Sequence, residues 1–186
     1  MKRKLSEMSL EELWQLFPII LTEHQISWKD GYAEEEIFLK KQIPQAERIS
    51  HIGSTAISSI WAKPIIDILM EVPKECDLTN IKDLIVNSGY LCMSQSAERI
   101  SFNKGYTENG FAERVFHLHL RYFGDNNELY FRDYLIENPN IAKKYERLKL
   151  NLWKEYEHNR NRYTDLKNEF VEKYTEKAKE EYGNIY

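Results

Sequence analysis

The sequence predicts an α/β (α+β) fold in which helices back a small sheet. Residues 99–103 and 116–122 alternate apolar and polar side chains, and such alternation gives a strand one apolar face and one polar face. Elsewhere the apolar residues recur at helical spacing, most clearly after Gly124, where we expect helices to the end of the chain. A sheet with one face covered by helices and the other face open accounts for both patterns.

The N-terminal segment predicts two helices. Ser9 and Glu12 have the spacing of a capping box for a short helix that ends before Pro18. Ser27 is predicted to begin a second helix, and Pro44 ends that region. Both helices precede the first predicted strand.

The middle of the chain predicts two strands, one helix and the two alternating strands. Apolar runs place the first strands at residues 47–52 and 65–72. Residues 77–88 are predicted to form a helix that stops at Gly89. Its apolar face consists of Leu78, Ile81, Leu84 and Ile85.

The C-terminal third predicts three helices. Asp125 or Asn126 could cap the first of them, Pro139 suits the start of the second, and the third is expected at residues 162–182. A separate subdomain formed by these helices is the alternative. Their apolar stripes are Tyr145, Leu148, Leu152 and Trp153 in the second helix, and Leu166, Phe170, Val171 and Tyr174 in the third.

Length and composition favour one globular domain over residues 1–186, with an N-terminal extension at about 1–25 and the C-terminal helices at about 125–186. A chain of this size buries about 70% of its unfolded surface. The net charge of −4 disfavours nucleic acid as a partner. Nothing in the composition indicates an oligomeric state.

The compartment expected from the sequence is the cytoplasm. Cys76 and Cys92 are too few for a disulfide framework, which favours a reducing environment. The basic start at residues 1–4 is followed by acidic rather than apolar residues, unlike a signal peptide. No run approaches the ~20 apolar residues of a membrane span, so no membrane partner is expected.

A Gly-Ser turn followed by a carboxylate in an apolar strand is the strongest local pattern. Gly53 and Ser54 end the first predicted strand, and Asp67 lies within the apolar run of residues 65–70. Glycine lets backbone N–H groups approach an anion, and serine adds a hydroxyl donor. A carboxylate on the next strand can hold a divalent cation against bound phosphates. The alternative is a structural acid paired with Lys63 or an arginine, because an unpaired buried carboxylate is costly.

His117 and His119 lie on one face of one predicted strand. With Asp67 they could form a metal site of two histidines and one carboxylate. They could equally donate hydrogen bonds to a phosphate, or one could act as a general base. The non-functional alternative is a pair of half-exposed strand histidines without a chemical role.

Four segments carry a recognisable pattern: HIGSTAI at 51–57, AKPIIDI at 62–68, HLHL at 117–120 and FRDYL at 131–135, with Pro139 just behind. Together they resemble the GrpB family, a branch of the DNA polymerase beta nucleotidyltransferase superfamily. The chain is also similar to a domain fused to some bacterial dephospho-CoA kinases, and the resemblance covers residues 26–178. It implies a nucleotidyltransferase-type mixed sheet backed by helices, with the C-terminal helices closing one side of a cleft.

The resemblance implies a nucleotide or another phosphorylated small molecule as the ligand. The implied cofactor is Mg²⁺, with Mn²⁺ or Zn²⁺ as alternatives. Asp67, His117 and His119 would be the catalytic and metal-binding residues. The residues implied to bind phosphate are Gly53, Ser54, Lys63, Arg99, Arg132, Lys149 and Lys167.

The chain departs from the superfamily pattern at Leu69, where active members carry a second carboxylate. Strand geometry puts Leu69 on the same face as Asp67, and Glu71 lies about 13 Å further along that face, too far to share an ion. This departure argues against the usual two-metal transfer, although one Mg²⁺ held by a single carboxylate and phosphate oxygens is feasible. A third acid facing Asp67 would restore the pattern, and Glu98 and Glu113 are the nearby candidates.

Three functions are consistent with these residues. The first is metal-dependent transfer of a nucleotidyl group from a nucleoside triphosphate to an unidentified acceptor. In that reaction Ser54 would hold phosphates, Asp67 the metal, and His117 or His119 would orient or deprotonate the attacking group. The second is a non-catalytic module that binds nucleotide or a phosphate ligand related to coenzyme A, which Leu69 favours. The third is a metal-dependent hydrolase that uses Asp67 and both histidines.

Overall fold

The computed structural model describes residues 4–186, so most of the basic start at residues 1–4 lies outside the described residues. The described chain forms a five-stranded mixed sheet of spatial order β1-β2-β5-β4-β3. Strands β2 and β5 are parallel, and the other neighbours are antiparallel. The strands are β1 (Arg48–Ile52), β2 (Ile66–Val72), β3 (Leu91–Gln95), β4 (Arg99–Thr107) and β5 (Gly110–Tyr122).

Helices pack on both faces of this sheet. A 3₁₀ turn at Leu5–Glu7 precedes the first helix, and a second at Ser54–Ala56 follows β1. The helices are α1 (Leu10–Leu16), α2 (Ser27–Gln42), α3 (Leu78–Asn87), α4 (Asn127–Glu137), α5 (Pro139–Tyr156) and α6 (Arg160–Tyr182). The mixed α/β architecture predicted from the sequence is therefore confirmed.

The alternation of β2 separates the two faces. Ile66, Ile68 and Met70 point into the main core, which also contains buried residues of α2 and α3. Leu69 points the other way and packs with Leu129 of α4. The face predicted to be open is thus partly covered by the C-terminal helices, and the site lies where that cover stops. The extent of the domain, residues 1–186, stays a prediction.

Several local predictions are confirmed because they depend on neighbouring residues. The Ser9 hydroxyl accepts from the Glu12 backbone N–H, and the Glu12 carboxylate accepts from the Ser9 backbone N–H, as a capping box requires. Pro139 occupies the first turn of α5. Ser27 is the first residue of α2, although the position before it lacks a side-chain cap.

Other predictions are corrected by tertiary packing. Strand β3 was not expected from the sequence, because it lies at the sheet edge with every residue exposed and shows no alternation. Leu84 and Leu166 are each 40% exposed rather than buried. Asn126 precedes α4 but does not cap it with its side chain. Its amide instead donates to the buried Glu71 carboxylate at 3.1 Å.

Candidate functional site

Strand β1 ends in a tight turn that lies against β2. Gly53 has a φ of 70° and a ψ of −171°, a backbone conformation that glycine almost alone adopts and that costs other residues about 1–3 kcal/mol. A Cβ at this position would overlap Oδ2 of Asp67, so glycine alone fits between the turn and the carboxylate. Ser54 follows, and its Oγ accepts a hydrogen bond of 3.0 Å from Nζ of Lys149 on α5.

Strand register brings Asp67 and the two histidines together. Asp67 lies opposite His117 on the parallel strand β5, and His119 is the next residue on the same face. Oδ1 of Asp67 is 3.2 Å from Nδ1 of His117 and 3.9 Å from Nε2 of His119. The same sheet face therefore presents one carboxylate flanked by two imidazoles.

Asp67 is ionised and His117 is neutral near neutral pH. Burial raises the pKa of Asp67, but the adjacent imidazoles of His117 and His119 lower it more, and the net pKa lies well below its usual range. Burial lowers the pKa of His117, and the hydrogen bond and charge of Asp67 only partly oppose this effect. The carboxylate is thus an acceptor toward His117, while His119 lies beyond hydrogen-bond distance at 3.9 Å.

Cationic side chains line a cavity of about 270 Å³ at the Gly53–Ser54 turn, beside Asp67 and His117. We call it the basic cavity. Lys149 is 2% exposed and also donates to the Trp61 carbonyl oxygen. The cations of the basic cavity are Lys63, Lys149, Arg160 and Lys167.

The lysines of the basic cavity are crowded and desolvated. Burial, reinforced by the charge of Lys167, lowers the pKa of Lys63 and of Lys149 to about 7. Burial lowers the pKa of Lys167 to about 8. Nζ of Lys63 and Nζ of Lys167 lie 5.3 and 4.4 Å from the ring centre of Tyr163, which is fully buried. An anion in the basic cavity would relieve this mutual repulsion.

A second cavity of about 580 Å³ adjoins the basic cavity on the other side of Asp67. We call it the wide cavity. It contains His119 and is closed by α4 and α6, and the two cavities share Gly53, Asp67, Tyr145, Thr164 and Lys167. The carboxylate and the turn therefore lie at the junction of a cationic space and a larger, mixed one.

Two of the predicted phosphate-binding residues lie elsewhere, which corrects the predicted set. Arg99 lies opposite Arg121 on β5, and its guanidinium makes two bonds of 2.7 Å to Asp125. Arg132 donates to the His51 carbonyl oxygen at 2.9 Å and to Asp133 at 2.6 Å. Neither side chain lines the basic or the wide cavity. The other predicted residues do line them: Gly53, Ser54, Lys63, Lys149 and Lys167.

Within the described residues, the basic cavity has no replacement for the second superfamily carboxylate, whereas Glu128, Glu172 and Glu176 line the wide cavity. Leu69 is fully buried beside Leu129, and the buried Glu71 is bound by Arg48 at 2.9 Å. Among the described residues, Asp67 is the single carboxylate lining the basic cavity. Glu98 and Glu113, the two acids considered from the sequence, line neither cavity. Within residues 4–186, no three His, Cys, Asp or Glu side chains are grouped as a preformed metal centre.

Two functional candidates were missed by sequence reasoning. Tyr106 of β4 lies with its hydroxyl 2.8 Å from Nε2 of His117, and Arg160 at the start of α6 donates to that hydroxyl at 3.0 Å. The Tyr106–His117 contact crosses a hairpin whose register breaks at Gly105, and the Arg160–Tyr106 contact joins distant segments, so simple alternation could not have indicated them. Among the described helices, none is both long and apolar enough to cross a membrane.

Comparisons with known proteins agree on one family. The family model described as GrpB protein matches residues 18–177. The glutamate-rich protein GrpB of Alkalihalophilus pseudofirmus is 35% identical over 161 residues, covering 83% of this chain and 92% of that protein. YqkA of Bacillus subtilis is 34% identical over 156 residues, but the chain spans only 45% of its length.

Solved structures show the same relationship. The crystal structure of GrpB from Enterococcus faecalis has a TM-score of 0.75 and 31% identity, covering 88% of this chain and 99% of that one. Cid1 poly(U) polymerase bound to MgGTP has a TM-score of 0.50 and 12% identity, covering 77% of this chain and 46% of that one. The second likeness concerns the fold alone. This chain therefore belongs to the GrpB protein family and has a nucleotidyltransferase-like fold.

Proposed function

We propose that the protein binds the phosphates of a nucleoside triphosphate in the basic cavity and transfers the nucleotidyl group to an acceptor. The observation that carries this proposal is the convergence of four cationic side chains on a Gly-Ser turn beside one ionised carboxylate. Backbone N–H groups of such a turn, a serine hydroxyl and ammonium groups are the donors that bind phosphate. The nucleotidyltransferase-like fold supports this choice of ligand over other anions.

Two buried donors in the basic cavity support an anionic ligand. Nε of Arg160 and the hydroxyl of Tyr163 have no hydrogen-bond partner among the described residues. Each buried donor without a partner costs about 1–3 kcal/mol. Both side chains belong to the cavity lining, so phosphate oxygens could provide the missing acceptors.

The donor set at Asp67 fits one hard divalent cation. Mg²⁺ is commonly held by one or two carboxylates together with substrate phosphate oxygens and water, and Asp67 supplies an ionised carboxylate beside the basic cavity. When bound, such an ion would neutralise phosphate charge. Mn²⁺ would fit the same ligands, whereas Zn²⁺ would favour the histidines.

The roles proposed for the lysines and for His119 follow from the cavity that each side chain lines. Lys149 holds Ser54 in place from the buried side of the turn, while Lys63 and Lys167 face the phosphates. His119 lines the wide cavity, where its imidazole could accept a proton from the attacking group of the acceptor.

A binding module that retains nucleotide without transferring it is the second candidate. It is favoured by Leu69, which fills the position of the second carboxylate and is fully buried. A coenzyme A-related phosphate ligand would suit the same cations. No described feature favours a hydrolase, because both ring nitrogens of His117 already have partners.

The test is a thermal-shift series of nucleoside triphosphates, nucleosides and coenzyme A precursors, each with and without Mg²⁺. A ligand at 100 times its dissociation constant adds about 2.7 kcal/mol of stability. We expect stabilisation by triphosphates that depends on Mg²⁺, and none by nucleosides. Release of pyrophosphate in the presence of candidate acceptors then distinguishes transfer from binding. The absence of stabilisation by any triphosphate would contradict transfer, and the absence of stabilisation by any triphosphate or coenzyme A precursor would contradict both candidates.

A further inference from the structure

Four side chains form an unbroken hydrogen-bonded chain from the carboxylate to the basic cavity. Nδ1 of His117 is 3.2 Å from Oδ1 of Asp67, and Nε2 of His117 is 2.8 Å from the hydroxyl of Tyr106. Nη1 of Arg160 donates to that hydroxyl at 3.0 Å. Arg160 in turn lines the basic cavity, and its Nε lacks a partner.

The two ends of this chain favour one direction for each hydrogen. A guanidinium can only donate, so the Tyr106 oxygen accepts from Arg160. A carboxylate can only accept, so the Asp67 contact at 3.2 Å favours the form of His117 that is protonated on Nδ1 without being its sole cause. A neutral imidazole has one protonated nitrogen, which leaves Nε2 of His117 as the acceptor of the Tyr106 hydroxyl proton.

The backbone of β4 is shaped to bring Tyr106 to this position. Lys104 points to the α2 side of the sheet, where it bonds to Glu35 at 2.7 Å, and a regular strand would put Tyr106 on that same side. The register with β5 breaks between Lys104 and Tyr106, with Gly105 at a φ of 91°. This irregularity reverses the alternation and directs the Tyr106 hydroxyl to His117, as bulges beside active sites often do.

Aromatic packing holds the Tyr106 ring in this orientation. Its centroid is 4.8 Å from that of Phe17 and 5.2 Å from that of Phe111. The phenol is thus fixed by apolar contacts on neighbouring elements, while its hydroxyl is left to the polar chain. Packing of this kind is what a positioning residue needs.

We propose that Tyr106 and Arg160 are positioning residues that hold His117 in the tautomer protonated on Nδ1, so that His117 orients the Asp67 carboxylate. His117 then donates a hydrogen bond and does not ligate an ion. His119 is held less closely than His117. Its Nε2 lies 3.9 Å from Asp67, and its Nδ1 is 3.5 Å from the Ser101 hydroxyl. The expected effect of Tyr106 on ion binding at Asp67 rests on the proposed function. The assignment of the His117 tautomer does not rest on it.

The first test uses nuclear magnetic resonance of protein labelled with ¹⁵N-histidine, without any ligand. The His117 signals are assigned by their loss in His117→Gln, and the pH is held mildly alkaline so that imidazoles are neutral. We expect the parent to show a protonated Nδ1 and an unprotonated Nε2. In Tyr106→Phe, whose ring still fills the aromatic pocket, we expect the Nε2-protonated form to become populated.

The matched control is Tyr182→Phe, which removes another phenol hydroxyl, one that donates to Glu137 at 2.8 Å on the C-terminal helices. This control should leave the His117 spectrum unchanged. A parent protein with the proton on Nε2 of His117 would overturn the inference, and so would a Tyr106→Phe spectrum identical to that of the parent. The parent spectrum alone can overturn the inference, so the inference stays falsifiable even if the variant does not fold.

The second test measures Mn²⁺ affinity by electron paramagnetic resonance in the presence of nucleoside triphosphate. Loss of a residue that orients a metal ligand commonly weakens binding by about 10–100-fold. We expect a loss of this size in Tyr106→Phe and none in Tyr182→Phe; equal affinities in the parent and Tyr106→Phe would overturn the orienting role. Absence of Mn²⁺ binding to the parent would contradict the proposed function, while the tautomer result would still decide the role of Tyr106.

Discussion

The backbone of Gly53 lies directly against the carboxylate of Asp67, because a Cβ at position 53 would overlap Oδ2 of Asp67. The turn that would present N–H groups to an anion and the carboxylate that would hold a cation are therefore in contact. Any change in one displaces the other. This contact explains why a Gly-Ser turn and an aspartate separated along the chain act as one unit.

Gly53→Ala is expected to damage both parts of this unit. The φ of 70° disfavours alanine, and the new methyl group would push the Asp67 side chain away. We expect a loss of about 1–3 kcal/mol in stability together with loss of Mg²⁺-dependent nucleotide binding. Chemical denaturation and calorimetry would measure the two effects. Gly89→Ala is the matched control, since Gly89 also has a positive φ but nothing lies within 4 Å of its Cβ position. Normal nucleotide affinity in Gly53→Ala would show that the contact is not needed for binding.

Asp67→Asn should abolish metal-dependent nucleotide binding while the fold is retained. Asparagine keeps the size of aspartate but removes the charge that a divalent cation requires. Asp125→Asn provides the comparison, because Asp125 pairs with Arg99 outside both cavities. Calorimetry with Mg²⁺ and a nucleoside triphosphate should detect binding in the comparison variant and none in Asp67→Asn. Unchanged binding in Asp67→Asn would remove Asp67 from the list of ligands.

The predicted site residues that the structure brings together are those whose placement depends on close neighbours or on strand parity. Gly53, Ser54 and Asp67 belong to two adjacent segments, and His117 and His119 share a face by simple alternation. Arg99 fulfils the same parity rule but lies opposite Arg121, at the end of the strand pair beyond the site. Alternation identifies the face of the sheet on which a side chain lies but not its distance along the strand. The position of Arg99 outside both cavities therefore required the strand register.

The contributions of Tyr106 and Arg160 could not be predicted for a different reason. Parity would have put Tyr106 on the wrong face of the sheet, since a break in register near Gly105 reverses the alternation. Arg160 reaches the site only because α6 packs back across the cleft. The two placements depend on strand register and on contacts between distant segments, which composition and periodicity do not encode.

Binding of a phosphate ligand should take up protons at about pH 8. The pKa is about 7 for Lys63 and Lys149 and about 8 for Lys167 in the free protein. A bound anion favours the ammonium forms and raises these pKa values. The affinity for the phosphate ligand should therefore be highest at a pH below the pKa values of these lysines in the free protein. It should decrease as the pH rises through those pKa values. Calorimetry in two buffers with different ionisation heats measures the uptake, and proton release on binding would contradict the assignment of these lysines.

Lys149→Met and Arg132→Gln should separate the predicted phosphate-binding residues that line the basic cavity from those that do not. Lys149 holds Ser54 and lines the basic cavity, so its loss should weaken triphosphate binding by about tenfold or more, the effect of losing one charged hydrogen bond. Arg132 binds the His51 carbonyl oxygen outside the cavities, so its replacement should leave affinity unchanged. Isothermal titration of both variants, with melting temperatures to confirm folding, gives the comparison. Equal losses in both variants would mean that Arg132 reaches the ligand.

Leu69→Asp tests whether the missing second carboxylate can be restored. Leu69 shares the site face with Asp67 but is fully buried between Ile52 and Leu129. A carboxylate introduced there has no partner, and an uncompensated buried charge costs about 3–5 kcal/mol. We therefore expect a large fall in the free energy of unfolding. Because α4 covers this position, we do not expect Mg²⁺ or Mn²⁺ to reverse the loss.

The control is Leu69→Met, a volume-conserving change that should cost less than about 1.5 kcal/mol. The decisive measurement is the metal-induced rise in melting temperature of the parent, Leu69→Asp and Leu69→Met. Similar rises in all three would mean that Leu129 and α4 keep cations from position 69, so that the fold accommodates a single ion at Asp67. A much larger rise in Leu69→Asp would show that α4 yields and that a two-metal site can form, because the new carboxylate would then share an ion with Asp67 about 6.6 Å along the strand. In that case the leucine side chain at position 69, and not the backbone fold, would be the reason that this chain lacks a two-metal site.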